Sequence, residues 1–482
     1  MLGVQEFPEV QTNHNEHLIT PEEDKYFREH DKTYEFHREG ILGPEHVRKY
    51  KEKLITNPLS SAQEVIETAL QKGELSPSVS AYVENVKNIG QKPLSEMNKV
   101  SLIVPGKGFS IEGFYAAAAL QTLMWSAYQK DASKGFSHIY GTSGGAGIAT
   151  YVWNDRQLLF GPLNPVVIGT KPLLDIVELL KTVYPDNKLI PGGDKTALYL
   201  AYFKFLMKNY EQLKVPGNGP DDTKLTIIAT NADPSLPSTV EARRVLLTDF
   251  TGIDDLLECI QSSCTLPLIA GPTDNHPCRG MKLADGVFSE HIPIATARND
   301  GNTFNIILES APLKDLGLDK MEAKIAQRLM QTNPGLAQMW LTRMERTNAT
   351  RRLLAANQNR RDGAPYMTTI SPDKYTPALS PFRDELNIAG LGGAIKLFEA
   401  FGIKDSKIQK QLLMRMWDTE EPNSLLVNRR KGLFEDWSFV PLKRSLRDEY
   451  KLPDIQEKVN NWQIDEPYMQ DFVKLALAGY VG

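Results

Sequence analysis

Between residues 99 and 310, short apolar runs alternate with helical stretches, and this alternation leaves few architectures open to the chain. Residues 100–104 (Val-Ser-Leu-Ile-Val) form a buried-strand pattern that stops at Pro105-Gly106. Residues 114–130 then read as a helix, opened by Gly113 and carried by four consecutive alanines. A second strand is expected at 136–140, running through Gly141 into a further helix that reaches Gln157. Third and fourth strands are expected at 225–230 and 303–308. Strands that alternate with helices bury both faces of a mainly parallel sheet, so the expected fold is an α/β layered domain.

The flanks read differently. Residues 1–97 form a polar, mainly helical leader, with helices expected to open at Pro44 and at Ser60 or Ser61. From residue 316 to 482 the chain is mainly helical. A long stretch at 321–359 breaks near Pro334-Gly335, and its Arg343, Arg346, Arg351 and Arg352 are spaced to share a face. Residues 387–402 read as either a lid or buried packing. The aromatic and basic piece at 434–447 reads as core edged by charge, with an anionic membrane face as the other reading. The expected division is therefore 1–97, a core of 98–315, and 316–482.

Charge excludes one class of partner. The 482 residues carry a formal net charge of -5, and a chain that binds nucleic acid needs a basic surface to meet phosphates. No stretch reaches the roughly 18 apolar residues that a membrane-spanning helix requires, and the first residues lack the apolar run of a secretion signal. Any membrane contact is expected to be peripheral, and the compartment cytoplasmic. The three cysteines, Cys259, Cys264 and Cys278, are too few for a disulfide framework and fit a reducing compartment. They also lack the paired short spacing of a zinc site.

The chemistry centres on Gly141-Thr142-Ser143-Gly144-Gly145, which fits G-x-S-x-G. A serine hydroxyl is a poor nucleophile until a turn exposes it and a base takes its proton. This motif puts the serine on a tight strand-to-helix turn, where Gly141 and Gly145 relieve crowding. The following helix points its N-terminal amides at the site. The base is less plainly written. His276 and His291 are the only histidines after Ser143, which supplies a histidine triad poorly. The carboxylate candidate is Asp285, followed by Gly286, although Asp-Gly is also a common turn signal.

Taken as an ordered set, these residues resemble the patatin-like phospholipase family. Residues 141–145 are similar to its nucleophile motif, and Asp285-Gly286, with Pro293 downstream, to its aspartate-glycine motif. Residues 262–267 resemble the small-residue and proline segment that precedes the latter. The likeness covers roughly 99 to 310. It implies a three-layer patatin-like domain and a Ser143–Asp285 dyad that hydrolyses lipid acyl esters without a metal or cofactor. It also implies a phospholipid or lysophospholipid substrate, met at a membrane surface. Some family members are bacterial effectors that work inside host cells and need a host protein to switch on, and the large flanks leave room for such an activator. The oxyanion loop implied at Gly106, Lys107 and Gly108 departs from the family pattern: Lys107 separates the two glycines, and Glu112 stands where a basic residue is expected. That departure keeps two further readings open, a weak or inactive binding module on the same fold and a non-lipid esterase or acyltransferase.

Overall fold

The computed structural model describes residues 60–106, 111–153, 222–266, 275–316, 320–358, 360–373 and 383–417. Helices α1 (Ser60–Gln71) and α2 (Pro77–Asn88) precede strand β1 (Val100–Val104) and helix α3 (Ile111–Tyr128). Strand β2 (His138–Thr142) leads into α4 (Gly144–Trp153), and β3 (Lys224–Asn231) into the short α5 (Val240–Arg243) and β4 (Arg244–Leu247). Then come α6 (Ile253–Ser263), the hairpin of β5 (His276–Cys278) and β6 (Met281–Asp285), α7 (Ile294–Asn299) and β7 (Phe304–Leu308). The chain ends, as described, with α8 (Lys320–Thr332), α9 (Pro334–Asn357), β8 (Tyr366–Ile370), α10 (Arg383–Ala400) and α11 (Ser406–Trp417).

The strands form one mixed, mostly parallel sheet in the order β5-β6-β3-β2-β1-β7-β8, with β4 also on β3. The strands β3, β2, β1, β7 and β8 run parallel, and β4, β5 and β6 pair antiparallel. Successive residues of a strand face opposite sides, and the core follows that rule. Leu102, Ile139, Ile227 and Ile306 pack with α1–α4, α6, α10 and α11. Ile103, Tyr140, Ile307 and Met367 pack on the other face with α7 and α9. A satellite cluster joins Ala284 and Phe288 to α8 and α9. The architecture is thus α/β, with helices on both faces of the sheet, and is consistent with a patatin-like domain.

Several local expectations shift. The second strand begins at His138 rather than 136 and takes in Gly141 and Thr142, which pair with β3 at Ile227 and Ile228. The position calls for glycine, since a Cβ there would lie 2.5 Å from the Ala146 Cα of the next helix. The helix expected at 114–130 starts earlier, at Ile111. The four arginines do not share one face: Arg343 and Arg351 are buried, whereas Arg352 is exposed and pairs with Asp315. Arg352 follows Arg351 by one residue, which turns it about 100° round the helix. Residues 389–402 resolve as packing: Leu391, Leu397, Phe398 and Phe401 are buried, and a Cβ on Gly393 would meet the Glu112 carbonyl oxygen at 2.4 Å. The helix expected at Pro44, the continuation of α4 to Gln157 and the piece at 434–447 lie outside the described residues. No helix among the described residues is long and apolar enough to cross a membrane.

Candidate active site

The site forms where two strands meet on one edge of β3. Gly141 and Leu247 both pair with Ile227, so β2 and β4 hold opposite edges. Val245 and Asp285 both pair with Ala229, so β6 lies on the edge that β2 occupies. The last residue of β2, Thr142, is opposite Ile228, and the last residue of β6, Asp285, is opposite Ala229. The two strands run in opposite directions and meet end to end, which delivers Ser143 and Asp285 to one point.

Ser143 leaves β2 with φ +54°, the left-handed region that a serine rarely adopts. Such a backbone persists only where its surroundings enforce it. Here its N–H donates to Ser263 Oγ at 2.8 Å, and Ser263 Oγ–H donates to the Ile228 carbonyl at 2.5 Å. Its carbonyl accepts from the Ala146 N–H at 2.8 Å, as α4 begins. Close main-chain approaches complete the turn. A Cβ on Gly145 would sit 2.3 Å from the Val104 carbonyl oxygen, and one on Gly286 would sit 2.2 Å from that of Ile228.

The Ser143 hydroxyl donates to Asp285 Oδ2 at 2.8 Å. Both residues are buried, Ser143 at 6% and Asp285 at 1% exposure. The other carboxylate oxygen, Oδ1, accepts from the Val287 N–H at 2.9 Å, and the Asp285 main chain is tied to Thr265 and Thr230, each at 2.8 Å. Burial pushes the Asp285 carboxyl up to about 7, against the pull of the Val287 amide, the Ser143 hydroxyl and the Arg343 charge. A carboxylate in that range is balanced between holding and releasing a proton at neutral pH, as a general base must be.

The remaining candidates fall as follows. His276 is paired with Glu258, on the β5 side of the hairpin. His291 meets the site through its main chain: its carbonyl accepts the Gly106 N–H at 3.3 Å. Gly106 itself lies against the nucleophile, since a Cβ there would be 2.7 Å from the Ser143 Cβ. Lys107 and Gly108 lie outside the described residues. Cys259 and Cys278 are free thiols with sulfurs 3.8 Å apart, and Cys264 is buried. No group of three or more metal-ligating side chains occurs among the described residues. Sequence reasoning missed the role of Ser263. Ser263 lies in the small-residue and proline segment at 262–267, but nothing local tied it to the Ser143 amide.

No family model matches this chain, and no curated protein matches it. Among solved structures, the chain is similar to VipD from Legionella pneumophila at 11% sequence identity, with 79% of each chain covered and a TM-score of 0.27. A likeness of that strength carries no argument about activity.

Proposed function

We propose that this chain is a lipid acyl hydrolase of the patatin-like type, cleaving fatty-acyl esters of a phospholipid or lysophospholipid with Ser143 as nucleophile and Asp285 as general base. The observation that carries the reading is the 2.8 Å bond from the Ser143 hydroxyl to Asp285 Oδ2, made from a serine held at φ +54°. In the first half-reaction Asp285 accepts the hydroxyl proton while Ser143 Oγ bonds to the ester carbonyl carbon. The resulting oxyanion collapses, the C–O bond to the lysolipid alkoxide breaks, and Asp285 returns its proton to that alkoxide. Water then attacks the acyl-serine, Asp285 takes a proton from it, and fatty acid leaves as Ser143 Oγ regains a proton. The oxyanion would be held by main-chain amides of the loop at Gly106, Lys107 and Gly108. Substrate is met at a membrane surface, in a host cytoplasm if the chain is a delivered effector, with a protein activator as a further requirement of that setting.

The test is covalent labelling by a fluorophosphonate, with fatty-acid release from phosphatidylcholine vesicles measured in parallel, each with and without eukaryotic extract. Wild type is expected to label at Ser143 and to release fatty acid, and Ser143→Ala and Asp285→Asn to do neither. Wild type that stays unlabelled in every condition points instead to the binding module. Labelling with no lipid turnover points to an esterase or acyltransferase of other substrates.

A further inference from the structure

Two elements hold Ser143 and Asp285 in register. Helix α6 ends at Ser263, whose hydroxyl oxygen accepts the Ser143 N–H, and Thr265 just beyond it accepts the Asp285 N–H. The β5–β6 hairpin ends at Asp285 itself. The spacing of α6 from the hairpin therefore bears on where the carboxylate stands relative to the serine.

Side-chain pairs fix that spacing. Asp255, Glu258 and Cys259 lie at i, i+3 and i+4, and so share a face of α6. His276 and Cys278 lie two residues apart on β5, and so share a face of the strand. Glu258 pairs with His276, and Asp255 accepts from the Arg279 guanidinium at 2.9 and 2.7 Å. Beside these pairs, the Cys259 and Cys278 sulfurs face each other at 3.8 Å.

Two buried thiols in contact are also ordinary packing, since cysteine behaves as a small apolar residue. Three features go beyond packing. The sulfurs need to close by only roughly 1.8 Å to bond, between elements that the neighbouring ion pairs already hold together. Cys278 lies on a three-residue strand at one end of the described sheet, between exposed Pro277 and Arg279, so opening of the hairpin alone uncovers it. Its thiol is brought down to about 7 by the bond from Cys259, with help from Ser262 and the Arg279 charge, and the thiolate is the reactive form. Cys264 contrasts with it: burial, and then the Asp285 charge, push that thiol well above the usual range. No group of three or more metal-ligating side chains surrounds the pair among the described residues, which leaves oxidation as the chemistry it fits.

We propose that Cys259 and Cys278 form a reversible disulfide site that clamps α6 to the β5–β6 hairpin and holds the dyad turn together under oxidising conditions. The oxidant is a low-molecular-weight disulfide. The Cys278 thiolate attacks one of its sulfurs, forming a mixed disulfide and releasing the other half as a thiolate. Cys259 then gives up its proton, attacks the Cys278 sulfur and expels the second half. In sum, two protons and two electrons pass from the cysteine thiols to the small disulfide, which leaves as two thiols. The site stands without the hydrolase reading; only the labelling readout below rests on Ser143 being a nucleophile.

The test incubates full-length wild type in glutathione buffers running from fully reduced to fully oxidised, blocks the free thiols and maps the peptides by mass spectrometry. A Cys259–Cys278 link is expected in the folded protein, with Cys264 still free, and dithiothreitol is expected to reverse it. The oxidised form is expected to unfold at a urea midpoint about 1 M higher, because the bond closes a loop between cysteines 19 positions apart. At a urea concentration between the two midpoints, only the oxidised form is expected to label at Ser143 with fluorophosphonate. Cys264→Ala should behave as wild type. Cys259→Ala and Cys278→Ala, either of which serves if the other fails to fold, should show neither link nor shift. Thiols that all stay free in fully oxidised glutathione, a mixed disulfide that goes no further, a link through Cys264, or a link that lowers the midpoint would each overturn the inference. A link with the raised midpoint, in protein that never labels even without urea, leaves the clamp in place and sinks the hydrolase reading instead.

Discussion

Thr142 and Asp285 occupy neighbouring positions on one edge of β3, opposite Ile228 and Ala229, although they arrive on strands running in opposite directions. This end-to-end meeting is what makes Ser143 and Asp285 partners. It places the hydroxyl of the residue after Thr142 within 2.8 Å of the carboxylate, and it leaves Gly286 pressed against the Ile228 carbonyl, where no Cβ fits.

The dyad acid sets a pH dependence in both activity and stability. Labelling of Ser143 needs ionised Asp285, so its rate is expected to rise through about pH 7 and to fall on the acid side. Stability runs the other way. The folded state holds the Asp285 proton more tightly than the unfolded chain, whose carboxyl titrates near 3.8. The stability linked to that proton is complete below about pH 4 and is lost as pH rises through about 7. Asp285→Asn removes this loss, and is expected to unfold at higher urea than wild type at pH 8 by up to about 4 kcal/mol, the gap closing at pH 4. Urea melts at the two pH values check it, and equal gaps at both would contradict it.

Crowding at the glycines gives a second expectation. A Cβ on Gly145 or Gly286 meets main-chain oxygen at 2.3 and 2.2 Å, and main chain inside a sheet cannot yield as a side chain can. Gly145→Ala and Gly286→Ala are each expected to cost about 3 kcal/mol or more and to abolish labelling. Gly280, at φ +74° with open space around it, is the control: Gly280→Ala is expected to cost only about 1 kcal/mol, from backbone conformation alone. Thermal melts and labelling of the three variants separate crowding from conformational cost.

Ser263 holds the strained turn from outside the motif. Ser263→Ala leaves the buried Ser143 N–H without its acceptor and the Ile228 carbonyl without that donor. A cost of about 1–3 kcal/mol is expected, together with at least a tenfold drop in labelling rate as the Ser143 backbone relaxes. A variant that melts early but labels at the wild-type rate would confine Ser263 to stability.

On the face of the sheet that Tyr140 lines, midway along β2, a polar network is expected to affect folding alone. The Tyr140 hydroxyl donates to Asp300 at 2.6 Å, accepts from Asn302 at 2.9 Å and lies 2.9 Å from His138 Nδ1. Tyr140→Phe removes a shared partner from three groups at once and is expected to cost about 1–3 kcal/mol. Labelling of the folded variant at 25 °C should match wild type. A labelling defect would show that this network communicates with the turn.

Local patterns in the chain were readable where local physics fixes them. Apolar run and turn chemistry together placed β1 at Val100–Val104 without error. The Gly-x-Ser-x-Gly pattern marked the turn between β2 and α4, and at Gly141 the crowding it relieves lies between residues a few positions apart, whereas at Gly145 it is against the Val104 carbonyl at the end of β1. Strands β4, β5, β6 and β8 escaped notice. Each is short, three to five residues, and β4 and β5 alternate poorly between apolar and polar, so their strand character comes from pairing with β3, β6 and β7. Burial of Arg343 and Arg351 was equally hidden, since a run of arginines on a helix reads as a solvated face until the neighbours that cover it are known.

By itself, then, the sequence determined the layered α/β plan and the strand-turn-helix at Ser143, for both follow from periodicity and from glycines at fixed spacing. It offered Asp285 as one Asp-Gly among possible turns. Only the tertiary structure brought that carboxylate, 142 residues away, onto the serine hydroxyl, and added Ser263 beneath the turn. The physical reason is that these contacts depend on which strands share an edge of β3 and which helix covers the end of β6, and such pairings are set by the packing of the whole sheet rather than by any segment of it.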